Sequence, residues 1–285
     1  MTTSLGIASR RKRRNMATVA RLVVLIVFLV IVLVPIVVVL FDAFNTNAAL
    51  ESTALGSFQH LTVSNFTYVI DDTNVLIYLR NSLIVSLTAT VASIVLGALA
   101  GYAMSRYDAW WLRTYSLSLF FLQTFPLILV LIPLFDIFRM LHLINTFGSV
   151  ILVYVVEALP FASWMFRAYF DRFPRSLEES AWIDGASRLR TLVRIVAPNS
   201  WPAAVSVGLY SFLLAWGDYL VAYVFLTSTN VLTLPVGLEA FFQQNTTQWA
   251  PVMASAAIMM VPGVVIFGVL QRYYNLAGFS GAVVG

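Results

Sequence analysis

Cysteine is absent from all 285 residues, which excludes disulfides, thiolate metal sites and cysteine nucleophiles. Lysine is almost absent: Lys12 is the only one, and it sits in a basic run near the N-terminus. A Walker-type phosphate loop places a lysine after its glycines, so this chain does not hydrolyse ATP by that machinery. The two histidines, His60 and His142, stand too far apart for a paired-histidine metal motif. Charge is scarce as well. Asp, Glu, Lys and Arg together make up 11% of the chain, whereas 60% is apolar. A soluble domain carries roughly 25% charged residues, so a soluble class is excluded.

What fills the chain instead is long apolar runs. A membrane-spanning helix needs about 20 mostly apolar residues. Six stretches qualify, at 20–41, 82–104, 114–136, 147–169, 202–226 and 251–271. Open sheets leave unsatisfied edges in lipid, so the predicted fold is an all-α integral membrane protein with six transmembrane helices in a bundle. Residues 1–19 read as a basic leader and 20–285 as one membrane domain. The apolar run from Leu22 to Phe41 is longer than the roughly 7–15 residues of a signal-peptide core. Asp42-Ala43-Phe44-Asn45 then supplies no small-x-small cleavage site, so a retained first helix is expected.

Arginine sets the orientation. With the N-terminus in the cytoplasm, the spans alternate so that all of the 17 basic residues except Arg80 and Arg139 fall inside. The net charge of +4 is therefore a topology signal rather than a nucleic-acid one. The basic leader also suits contact with anionic lipid.

Between the fourth and fifth runs, and on the predicted cytoplasmic side, lies a polar segment from Pro174 to Ala203. Ser176 and Glu179 have capping-box spacing for a helix start, and Gly185 suits a helix end. Leu189, Leu192, Val193 and Val196 then recur at helical spacing, and Pro198 is expected to end that second helix. The segment reads as a short helix, a glycine turn and an amphipathic helix.

Glu179-Ser180-Ala181, Asp184-Gly185-Ala186, Ile195 and Pro198 match the spacing of the EAA signature, and in this the chain resembles permease subunits of bacterial ABC importers. Ser180 replaces alanine, Leu192 phenylalanine and Ala197 leucine, all swaps that keep the helical pattern. Asn81-Ser82-Leu83, Phe125-Pro126, Ile132-Pro133-Leu134-Phe135, Ala215-Trp216-Gly217-Asp218-Tyr219, Thr233-Leu234-Pro235-Val236-Gly237-Leu238, Gln271-Arg272-Tyr273-Tyr274 and Gly281-Ala282-Val283-Val284-Gly285 are similar to the maltose-type (MalG-like) branch of the binding-protein-dependent transporter inner-membrane component family. The resemblance implies a type I ABC importer fold. Residues 174–200 would form a coupling helix that docks into a separate ATPase, with Glu179, Ala181, Asp184, Gly185, Ala186, Leu189 and Leu192 as coupling residues. Leu177 would pack there too, and Glu179 and Asp184 would position the turn through charged hydrogen bonds. It further implies a bacterial inner-membrane location, a second non-identical permease, an ATP-binding subunit dimer and an extracytoplasmic sugar-binding protein. The loops 42–80 and 227–250 are long enough to receive that binding protein. ATP and Mg would bind the ATPase, and no cofactor this chain.

Ionisable residues inside a span are expensive and often functional. Glu157 and Asp218, with Trp216 and Tyr219, are the candidates for the substrate path: a carboxylate beside aromatic faces suits sugar hydroxyls and ring faces. For Asp218 a helix cap or internal pair is an equal alternative, and Trp and Tyr concentrate at membrane interfaces anyway. The spans hold almost no arginine, which argues for a neutral sugar over glycerol-3-phosphate, the alternative solute. Two rival classes are weaker. A polytopic membrane enzyme needs clustered carboxylates, histidines or serines, and none converge. An ion-coupled secondary carrier often shows inverted repeats and paired charges, and no repeat is visible. Asn65-Phe66-Thr67 matches a glycosylation sequon only formally, and Asp71-Asp72 reads as a solvated outer loop. Gly97 and Gly101 form a GxxxG face for close helix approach. Pro126, Pro133, Pro160 and Pro262 fall inside spans and suggest helices that bend.

Overall fold

The computed structural model describes residues 3–52, 61–242 and 248–278, with side chains described from residue 18 to residue 50 and up to residue 270. The basic leader's side chains, His60 and the expectations on Gln271–Tyr274 side chains and on Gly281–Gly285 lie outside the described residues. In chain order the helices are α1 (Thr3–Asp42), α2 (Asn47–Ser52), α3 (Ser64–Asp71), α4 (Val75–Arg106) and α5 (Trp110–Thr124). There follow α6 (Leu127–Met140), α7 (Phe147–Phe170), α8 (Arg175–Ile183), α9 (Arg188–Thr191) and α10 (Ala197–Asn199). The last are α11 (Trp201–Gly217), α12 (Leu220–Phe225), α13 (Leu234–Gly237) and α14 (Trp249–Gly278).

Four of these carry stretches long and apolar enough to cross a membrane: Thr18–Asp42, Val75–Arg106, Phe147–Phe170 and Trp249–Leu270. They correspond to the first, second, fourth and sixth predicted spans. The other two differ from straight helices. The third is broken between Thr124 and Leu127, where α5 and α6 meet at 105°. Proline forces the residue before it out of the helical region, and Phe125 is extended at φ −80°, ψ 129°. Pro133, Pro160 and Pro262, by contrast, stay inside continuous helices. The fifth stops at Gly217, leaving the 17-residue helix α11, and resumes as α12. The cause is Asp218, whose Oδ2 accepts from the backbone N–H groups of Val221 (2.9 Å) and Ala222 (3.2 Å) and so starts a new helix.

The chain divides into two compact units, residues 1–72 with 241–258, and residues 73–240 with 259–285. In the first, the apolar side chains of α1 from Val19 to Val34 are exposed, as a lipid-facing helix requires. Below α1 the chain is tied by Asn65, whose Nδ2 donates to the carbonyls of Ala43 (2.9 Å) and Asn45 (2.8 Å). Asn65 is buried, so the sequon residue serves as an internal clamp. Asn47 Oδ1 accepts from Ala250 N at 2.9 Å and caps the start of α14.

The second unit is built on α4, which packs against α7 and α11. The predicted glycine face is where α4 meets α7. A Cβ on Gly97 would come within 2.5 Å of Ala162 Cβ, and one on Gly101 within 2.8 Å of the Arg167 nitrogen. The motif Asn81-Ser82 has a structural use as well. Asn81 Nδ2 donates to the carbonyls of Asn230 and Leu232, both at 2.9 Å, and Ser82 Oγ accepts from Leu234 N at 2.8 Å. Two segments about 150 residues apart in sequence are thereby joined.

A candidate coupling surface and a membrane cavity

The polar segment begins at Phe173-Pro174. Pro174, at φ −61°, is the N-cap position of α8, and Ser176 lies inside the first turn. The expected capping box is therefore not formed: proline presets the helix start and has no N–H to satisfy, while Ser176 gives its carbonyl to Ser180 Oγ at 2.8 Å. The predicted glycine turn is present. Gly185 has φ +82°, its N–H reaches Trp182 O at 3.0 Å, and Ala186 N–H reaches Ala181 O at 2.9 Å. These bonds form a Schellman ending. No atom outside its neighbours lies within 4 Å of a Cβ placed at Gly185, so within this chain it is φ that demands glycine.

Ser187 starts the second helix, its Oγ accepting from Arg190 N at 3.3 Å. Pro198 does not end it. Leu192–Val196 is a π turn, with Ala197 N–H bonded to Leu192 O, and the helix continues through Pro198 to Asn199. The wider turn accommodates a residue that lacks an N–H and crowds the preceding turn. The four-residue apolar stripe splits. Leu192 and Val196 are buried with Phe166, Phe170, Ala203 and Val207, whereas Leu189 and Val193 are 63% and 59% exposed.

Of the expected coupling residues, Ala181 and Leu192 face the protein interior, Ala186 is half-buried, and Glu179, Asp184, Gly185 and Leu189 are exposed. Among the described residues, the Glu179 and Asp184 side chains make no hydrogen bond, so the turn is held by backbone bonds and not by those carboxylates. The exposed apolar set is Leu177 (51%), Ile183 (86%), Leu189 and Val193. Ile183 falls on one of the two unspecified positions of the signature, although an isoleucine between a tryptophan and an aspartate in a polar segment is a legible signal.

Sequence reasoning also missed Glu178, the residue that fastens the segment. Glu178 is fully buried. Its Oε1 accepts from Arg106 Nε (2.8 Å) and Nη2 (2.5 Å), and its Oε2 accepts from the Tyr102 hydroxyl at 2.7 Å. Arg106 also donates to Ser105 Oγ at 2.8 Å, and Ser105 Oγ to Asp171 Oδ1 at 2.5 Å. Removing one partner of such a buried pair costs about 3–5 kcal/mol, because the other charge is left uncompensated. Beyond the turn, Arg188 stacks on the rings of Tyr107 (5.2 Å) and Trp182 (5.3 Å) and donates to the Tyr107 hydroxyl at 2.5 Å. That bond holds the guanidinium proton and raises its pKa.

The substrate-path candidates are not gathered in one place. A cavity of about 1020 Å³ is lined by α5, α6, α7 and α11, with Glu157, Tyr210, Gln123 and Ser118 as its polar groups and Phe121, Phe125 and Phe138 among its apolar ones. Trp216, Asp218 and Tyr219 are not in its wall. Trp216 is buried, stacked on Phe212, and donates to Met259 O at 3.2 Å. Asp218 accepts from the Tyr154 hydroxyl at 2.8 Å as well as capping α12. Tyr219 stacks on Tyr223 and donates to Glu239 at 3.2 Å.

Known proteins share this sequence pattern and this architecture. The Escherichia coli inner membrane ABC transporter permease protein YcjP is 36% identical over 208 residues, 73% of this chain and 74% of that one. The trehalose/maltose transport system permease protein MalG of Thermococcus litoralis is 33% identical over 228 residues, 79% of this chain and 82% of that one. A crystal structure of a bacterial ABC transporter that imports the acidic polysaccharide alginate matches 91% of this chain and 97% of its own with a TM-score of 0.77 at 21% identity, a likeness of fold. Residues 93–276 match the family described as binding-protein-dependent transport system inner membrane component, and the chain belongs to that family.

Proposed function

We propose that this chain is the membrane-spanning permease subunit of an ATP-driven sugar importer, forming half of the translocation path. The observation that carries the reading is the loop of residues 174–200. Its inner face is fastened to the bundle through Glu178, Leu192 and Val196, and its outer face offers Leu177, Ile183, Leu189 and Val193 to water. An exposed apolar face on a rigidly held loop suits a protein partner. The partner is an ATP-binding subunit, since a chain with one lysine at residue 12 lacks a Walker lysine of its own. ATP and Mg act there, and no catalysis is assigned to this chain. Both termini lie in the cytoplasm, as the arginine distribution favours. A second permease and an extracytoplasmic binding protein complete the assembly.

A neutral sugar suits the cavity best: Glu157 is its one carboxyl group, aromatic faces surround it, and no arginine lines it. Glu157 is thus the strongest contact candidate. Asp218, Trp216 and Tyr219 contribute through the shape of the α11–α12 break. Purification of the tagged chain from its native membrane in mild detergent tests the assignment. An ATP-binding subunit, a second permease and a binding protein are expected with it. Recovery of this chain alone, under conditions that preserve other membrane complexes, would favour the ion-coupled carrier instead.

A further inference from the structure

The loop meets the end of α4 through a buried ionic contact. Tyr102 and Arg106 lie one turn apart on α4, and together they occupy both carboxylate oxygens of Glu178. The side chains of Arg106 and Glu178 are 7% and 1% exposed. Arg106 further donates to Phe173 O at 3.4 Å, and Arg175 Nη2 to Ser105 O at 3.1 Å, so the chain entering α8 is tied to the same turn. Two guanidinium N–H groups on Oε1 and the Tyr102 hydroxyl on Oε2 fix the carboxylate's orientation as well as its distance, and charge-assisted bonds of this kind are stronger than neutral ones. A purely apolar contact would let α8 slide or roll, since dispersion and burial are not directional.

Given that the loop docks an ATP-binding subunit, we propose that Arg106 and Glu178 form a rigid strut that makes α8 and α4 move as one body, so that displacement of the loop is delivered to the α4–α7 core. Both are positioning residues, acting through the helices they join. The tight seat of Gly97 and Gly101 on α7 passes the motion on, because neither helix has room to shear past the other.

The absence of native cysteine in this chain makes the strut directly measurable. Spin labels on Ser176→Cys in α8 and Leu99→Cys in α4, both exposed positions, report one distance within the assembled complex, whose other subunits are first made cysteine-free. The probe is ATP with vanadate against no nucleotide. In the otherwise unaltered chain the distance stays the same, and narrowly distributed, in both states. In Glu178→Gln the ATP-binding subunit still co-purifies, but the distribution broadens and shifts with nucleotide, and ATP-driven uptake falls by roughly tenfold, inside the usual range of coupling effects. The double variant Arg106→Glu/Glu178→Arg recovers part of both. Arg113→Ala, which breaks the exposed pair with Asp108, changes neither. A distance that changes with nucleotide in the unaltered chain, or a Glu178→Gln complex with normal uptake, overturns the strut while leaving the docking reading intact. Failure of any ATP-binding subunit to co-purify with the unaltered chain overturns the docking reading itself.

Discussion

Gly185 separates two roles that a glycine can have in a docking loop. Its φ of +82° penalises any side chain by conformation, whereas the space around it is open. Asparagine tolerates the left-handed region far better than a β-branched residue. Gly185→Asn is therefore expected to keep most transport, and Gly185→Val to abolish it while membrane insertion stays normal. Uptake and membrane abundance measured side by side check this. Normal uptake by Gly185→Val would remove the loop from the mechanism. Asp218 gives a second prediction at this scale. Its carboxylate is occupied by Tyr154 and by two backbone donors of α12. Asp218→Ala should lower the thermal stability of the purified chain by about 1 kcal/mol or more, as loss of a cap does. Glu157→Gln, at the cavity wall, should leave stability unchanged and alter the concentration dependence of uptake. Thermal melts and uptake kinetics of the two variants separate the roles.

Among elements, the contact of α4 with α7 governs the fold of the second unit. A side chain at Gly97 or Gly101 meets backbone or Cβ atoms within 3 Å and has no flexible neighbour to displace. Overpacking of this kind costs about 1–3 kcal/mol or more per site. Gly97→Leu is expected to reduce the yield of monodisperse detergent-extracted protein sharply, and Gly268→Leu, with open space around it, to have little effect. Size-exclusion profiles decide. The glycine face was legible in the sequence because two glycines four apart in an apolar run have one common physical use. The break at Phe125-Pro126 was equally written in the sequence, yet hydropathy windows average across it and return a single span. The same averaging hid Gly217-Asp218, a helix stop followed by a helix start. Glu178 was illegible for another reason. Its neighbour Glu179 carries the motif, and nothing local says which of two adjacent glutamates turns inward toward an arginine 72 residues earlier.

On the scale of the whole molecule, what was read most directly was the class: little charge, long apolar runs and one-sided arginine leave few alternatives to a polytopic helical membrane protein. What the loop does for the assembly depends on its outer face. Ile183 is the most exposed apolar residue of that face, at 86%. A photo-activatable cross-linker placed at Ile183, with irradiation of intact membranes and identification of the adduct, tests the docking reading most directly. The expected adduct joins this chain to an ATP-binding subunit, and it is lost in Gly185→Val. Adducts only to lipid, or none to any ATP-binding protein while a cross-linker in α4 still captures its own neighbours, would contradict the claim that this loop receives the force of ATP hydrolysis.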